Sequence, residues 1–315
     1  MDNLVLVAGQ VGVLFALMAV GAVCRRAKLL DDASVKGVVN VLILVVTPCL
    51  IVDCFQRPFD PARMKALGIA FGVGLAVHAV LVLVASLLFR RMRSAEGTRC
   101  VLALATVFSN AGFMGIPLEH AIFGDDGVFF GITYVVVFNL VMWSWGFCVM
   151  KGVDVRHLGR AQLRTVLVNP GTVGIAIGLP LFVCSMRLPE VVGEPVRLLS
   201  GLNTPLAMLV IGYHLAGAKL GAVLRMGGAY AAAGVRLVAC PLALTAVFWC
   251  FKDRLDRTMM LSLVTASSAP VAAMVSMFAA KFGRDVDTSV GLVSGTTLLS
   301  IVTMPVVIAV AMAVL

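Results

Sequence analysis

Ten apolar runs, each about twenty residues long, follow one another along this chain with only short polar stretches between them. They cover 3–24, 34–55, 66–89, 100–123, 127–150, 165–186, 198–218, 228–251, 258–280 and 287–313. As a helix, a run of that length rises about 30 Å, the thickness of a bilayer's hydrocarbon core. Hydrocarbon offers main-chain amides and carbonyls no water, so each run must satisfy them internally. The expected fold is therefore an all-α membrane protein of ten transmembrane helices. Composition agrees: 13% of residues are charged, against about 25% in a soluble domain. The first run lacks a basic segment before it and a small-residue cleavage site after it, so it is expected to stay as a span.

The net charge of +9 does not point to nucleic acid, because the basic residues sit in short clusters between the runs. Counted from the N-terminus, the odd loops hold 15 Lys and Arg and the even loops 8. The excess marks the cytoplasmic side. Both termini are then outside, and the connecting loop 151–164 is inside, at the cytoplasmic (inner) membrane. The eight Cys are scattered and form no CxxC pair, so neither a metal nor a disulfide framework is expected. Zinc-protease, serine-hydrolase and nucleotide-binding signatures are missing. The expectation is a chain that is not an enzyme and has no cofactor. ATP would not drive it, which leaves an ion gradient, the membrane potential or the gradient of its own substrate.

An internal repeat is visible. Thr47-Pro48 lies in the middle of the second run and Thr204-Pro205 in the seventh, 157 residues apart. The same offset carries Ser109-Asn110 of the fourth run onto Ala266-Ser267 of the ninth. The halves are 1–150 and 165–315, each with five spans. An odd number of spans turns the second half upside down, giving a 5+5 inverted repeat. Interrupted helices at matching places in such a repeat point to a transporter's binding site.

The interruptions supply the candidate residues. In the fourth run Asn110, Ala111, Gly112 and Pro117 weaken the helix. In the ninth, Ser267 and Ser268 precede Pro270. A broken helix at membrane depth is tolerated where it lines a wet cavity, and its new N-terminus favours an anion. Thr47 with Pro48, and Asn203 and Thr204 with Pro205, form a second symmetric pair whose oxygens suit a sodium ion or a substrate hydroxyl. Each of these sites also has a plain structural reading, as a proline kink or a hydroxyl bonded back to its own helix. Charged groups inside spans are costly and face the protein interior. Arg236 is a candidate counter-charge or a partner for Glu119. Glu119, His120 and His78 are candidates for carrying a coupled proton.

Several blocks resemble the auxin efflux carrier family of membrane transporters. They are NAGFMGIPL (Asn110 to Leu118) with Phe123-Gly124, LNTPLAMLVIGYHLA (Leu202 to Ala216), SAPVAAMVSMFAAKFGRD (Ser268 to Asp285) and LVSGTTLLSIVTMPVV (Leu292 to Val307). The resemblance spans the chain in order. It implies ten helices in an inverted repeat, with broken helices four and nine crossing near the midplane. It also implies a scaffold of spans one, two, six and seven that serves a homodimer, and a moving transport part made of the rest. It makes Asn110 a substrate contact and places breaks near Pro117 and Pro270, with Ser267-Ser268 where relatives can carry Asn. The short central loop resembles compact bacterial members, which are described as permeases for malate, malonate or similar carboxylates. The expectation is alternating-access transport, as an efflux permease, of a small organic anion, with coupling to protons or sodium left open. A channel or a non-transporting membrane scaffold is the alternative.

Overall fold

The computed structural model describes residues 2–153, 170–217 and 226–315. Main-chain hydrogen bonds are met almost wholly within helices, as a lipid solvent demands. Among the described residues the only strand-like pairing is a single bridge, Ser109 with Val271.

The helices are α1 (Asp2–Arg26), α2 (Asp32–Val41), α3 (Thr47–Cys54), α4 (Pro61–Phe89), α5 (Glu96–Val107), α6 (Ile116–Val141) and α7 (Phe147–Lys151). After the undescribed segment come α8 (Pro170–Val183), α9 (Glu190–Gly201), α10 (Asn203–Ala216), α11 (Gly227–Gly234) and α12 (Cys240–Trp249). The last three are α13 (Arg257–Ser268), α14 (Ala273–Lys281) and α15 (Val286–Val314). Among the described residues seven continuous stretches are long and apolar enough to cross a membrane: Val7–Arg26, Asp32–Cys54, Pro61–Phe89, Ala111–Lys151, Glu190–Ala216, Gly227–Trp249 and Val286–Val314. Together they make a multi-pass membrane protein. The fourth and ninth runs are missing from this set as unbroken rods because each is split in two. The seventh run starts at Glu190, earlier than 198, because α9 is amphipathic and its polar first turns escaped a hydropathy reading. Loop 151–164 lies outside the described residues from position 154 on.

The longest stretch reverses direction at Gly124, whose φ of 65° and ψ of −154° suit a residue with no Cβ. The limb after the turn packs back on the limb before it, and Gly127 meets the carbonyl of Glu119. Elsewhere glycine permits backbone to touch backbone. Gly21 of α1 lies against Leu209 of α10, and Gly212 against Met18. Gly174 and Gly178 of α8 accept Ile51 and Phe55 of the second span.

Three wide π-type turns, Leu42–Val46, Ala111–Gly115 and Val235–Ala239, each end two residues before a proline: Pro48, Pro117 and Pro241. A proline inside a helix loses one amide bond and its ring strikes the preceding turn. Widening that turn relieves the clash and lets the helix continue. This corrects one expectation: Pro117 marks a widened turn in a continuing helix and does not break it, and Pro48, expected as a kink, follows a widened turn of the same kind. Pro205 sits in the first turn of α10, where a missing amide costs nothing. Only Pro270 lies in a break.

Candidate functional site

The two breaks fall at 108–110 and 269–272, and they lie side by side. The Asn110 amide donates to the Pro270 carbonyl at 2.6 Å, and the Ala272 amide to the Phe108 carbonyl at 2.9 Å. The Val271 amide donates to Thr296 Oγ1 at 3.1 Å. The extended residues therefore satisfy one another and α15, and the four helix ends around them are left to be accounted for.

Two are C-termini. Arg236, 0% exposed, reaches both. Its guanidinium donates to the carbonyls of Val107 (2.9 Å) and Thr106 (3.4 Å) at the end of α5, and to that of Ser267 at the end of α13. Each helix C-terminus carries about half a negative elementary charge, so two of them balance one guanidinium. This changes the expectation for Arg236. It forms no ion pair with Glu119 or any other described carboxylate, and it does not line the cavity. It is the counter-charge of the crossing helices themselves.

The other two ends are N-termini, at Ala111 and Ala273. They border a cavity of about 240 Å³. Gly112 and Phe113 line it from one end, and Ala272, Ala273 and Met274 from the other. Side-chain polar groups come from Thr47, Ser109, Asn110, Asn139 and Asn203. Asn203 Nδ2 has no hydrogen-bond partner although it is buried. Thr47 donates its hydroxyl to Leu42, and Asn139 donates its amide to Val135; both keep an oxygen free to accept. The remaining wall is apolar and includes Ile43, Leu50, Ile132, Phe138, Trp143 and Met277. Among the described residues, no charged one lines the cavity.

Of the residues singled out in the sequence, the structure brings Thr47, Asn110, Gly112 and Asn203 together here. Ala111, Pro117, Thr204 and Pro270 are close in sequence but do not line the cavity. Ser267 and Ser268 are on neither wall: their hydroxyls bond back to Val264 and Thr265 within α13. The offset explains this. The paired breaks are 162 residues apart, Ser109 to Val271, so 108–110 meets 270–272 and not 266–268. His78 is buried beside Tyr134, its ring centroid 4.9 Å from the Tyr134 ring, and its Nδ1 donates to Gly74. His120 is exposed, 3.4 Å from Asp125. Glu119 is fully buried behind the first half-helix. Sequence reasoning missed Asn139 and Trp143; a lone Asn in the middle of the fifth run was the available signal.

A sequence-family model described as "Membrane transport protein" matches residues 6–308. An uncharacterized transporter of Methanothermobacter thermautotrophicus is 24% identical over 296 residues, which cover 92% of this chain and 93% of that protein.

Proposed function

The chain belongs to the membrane transport protein family, the auxin efflux carrier-like one, and from that premise we propose that it carries a small organic monoanion across the cytoplasmic (inner) membrane by alternating access. The observation that supports this is the cavity between two half-helix N-termini, with no charged residue among the described residues of its wall. Two such ends together offer about one positive elementary charge. One carboxylate matches that; a dicarboxylate would bury a second charge that no described residue of the wall meets. The apolar remainder of the wall suits a carboxylate with a short apolar body.

In this reading the molecule has ten spans in an inverted repeat of 1–150 and 165–315. The paired breaks support it, as do the matched contacts of α1 with α10 and of α3 with α8. The scaffold, spans one, two, six and seven, supplies Thr47 and Asn203 to the cavity and the homodimer contact. The transport part supplies the crossing half-helices. Both termini are outside and the central loop is inside. A potential of 100 mV, inside negative, favours export of one anionic charge by about 2.3 kcal/mol, so export needs no coupled ion. Import would need a proton or sodium.

The test is counterflow in proteoliposomes with labelled 2-oxo-4-methylpentanoate, an α-oxo acid that is almost wholly ionised at neutral pH and so leaks only slowly through lipid. Asn110→Ala removes a side chain that bonds to no described residue and faces the cavity. Exchange is expected to fall at least tenfold, with thermal stability unchanged. An unaltered rate, or malate exchanging better than the monoanion, would count against this assignment. Channel behaviour would appear as flux without counterflow.

A further inference from the structure

Behind the first half-helix lies a carboxyl that the anion site does not use. Glu119 is 0% exposed, and neither of its carboxyl oxygens has a hydrogen-bond partner. The space it occupies is made by glycine. On the facing limb of α6, a Cβ at Gly131 would stand 1.6 Å from Glu119 Oε2. One turn back, a Cβ at Gly115 would lie 3.8 Å from Glu119 Oε1 and 3.4 Å from Cα of Ala266 in α13. The carboxyl thus sits where the first half-helix, the span that follows it and the end of α13 meet.

Charged and titratable neighbours do not relieve it. α3 and the turn after it bring Asp53, the buried thiol of Cys54, and Arg57, which is tied to Asp126. α4 brings His78, turned to Gly74 and Tyr134, with Arg63 tied to Asp126 at the outer end and Lys65 near it. α13 brings Arg257, which donates to Met312. α1 and α10 bring Arg25, Tyr213 and His214, with Arg25 held by the Tyr213 carbonyl. On α6 itself stand His120 and Asp125, paired with each other, and Tyr134. None of these donates to Glu119 or forms an ion pair with it. A carboxylate there would bury a charge with no donor; the acid fits as it stands. Ionisation requires the three packed elements to part.

We propose, on the carrier reading above, that Glu119 binds a proton that travels with the anion, making the protein a proton–anion symporter. Asn110 and Glu119 are carried on one half-helix, nine residues apart in sequence and so about 13 Å along the axis. A bound anion and an ionised Glu119 repel each other through protein by about tenfold in affinity, and linkage is reciprocal. Anion binding therefore promotes proton binding. One proton joins the carboxyl oxygen on one side of the membrane and leaves it on the other, so each cycle with a monoanion moves no net charge.

Proteoliposomes with labelled 2-oxo-4-methylpentanoate test this in two arms: counterflow at equal pH, and net uptake driven by an alkaline interior. In the wild type both are expected. Glu119→Gln keeps the shape and removes the proton. It is expected to retain counterflow within about threefold and to accumulate at least tenfold less under the pH gradient. No counterflow in the wild type sinks the carrier reading, and this inference with it. Wild-type counterflow with no response to the gradient sinks this inference alone. So does a Glu119→Gln protein that accumulates like the wild type, or one that unfolds at the wild-type temperature yet has lost both activities. Should the variant not reconstitute, the wild type decides.

Discussion

Arg236→Met is expected to leave little folded protein, with unfolding in detergent shifted down so far that wild-type purification conditions fail. The substitution keeps the bulk and removes the charge. It strands the carbonyls of Val107 and Ser267 at two buried helix ends, where each orphaned acceptor costs about 1–3 kcal/mol. With the uncompensated dipoles of α5 and α13 added, the loss is about 3–5 kcal/mol, against a total stability of about 5–15 kcal/mol. Arg236→Lys keeps the charge but, with one ammonium in place of a fork, reaches fewer of those carbonyls, so an intermediate unfolding temperature is expected. A methionine variant as stable as the wild type would show that the crossing helices need no cation.

Ala272→Asp is expected to separate stability from function. Ala272 precedes α14 with extended backbone, φ −64° and ψ 135°, the geometry of an N-cap, and no side chain caps that helix. An aspartate there accepts from the free amides of the first turn and stabilises the helix by about 0.5–2 kcal/mol. It also places a tethered carboxylate where the substrate's would bind. Counterflow is expected to drop to background while the unfolding temperature holds or rises. A variant that still exchanges anion would mean that the α14 N-terminus takes no part in binding. Ala272→Ser, a neutral cap, should keep measurable exchange, because the hydroxyl can be displaced.

Much of this fold was legible in the sequence because lipid leaves few options. Apolar length set the spans, and main-chain satisfaction made them helices. The presence of two breaks was legible from Asn110 and Pro270, but their register was not. An offset of 157 was taken from Thr47, which follows a widened turn inside a span, and Thr204, which lies in the first turn of α10. It failed at the crossing, where Ser109 meets Val271 at 162. Nothing in a row of small residues tells which one leaves the helix, and hydroxyls attract attention even when, as at Ser267 and Ser268, they bond to their own turn. Pro117 misled for a related reason. A proline signals a lost amide bond, and the chain met that loss by widening one turn, leaving the break seven residues earlier. Arg236 was recognised as costly, but its partners are main-chain carbonyls of two other helices, which carry no mark in the sequence. Asn139 and Trp143 reach the cavity from the fifth span through tertiary packing alone.

The central claim is that the two half-helix N-termini hold the substrate's carboxylate between them. A structure of the reconstituted protein saturated with 2-oxo-4-methylpentanoate tests it most directly. The carboxylate is expected at about 3 Å from the amides of Gly112 or Phe113 on one side and of Ala273 or Met274 on the other, beside Asn110, with the alkyl body against Ile132 and Phe138. Ligand density elsewhere, with the cavity filled only by side chains or water, would contradict it.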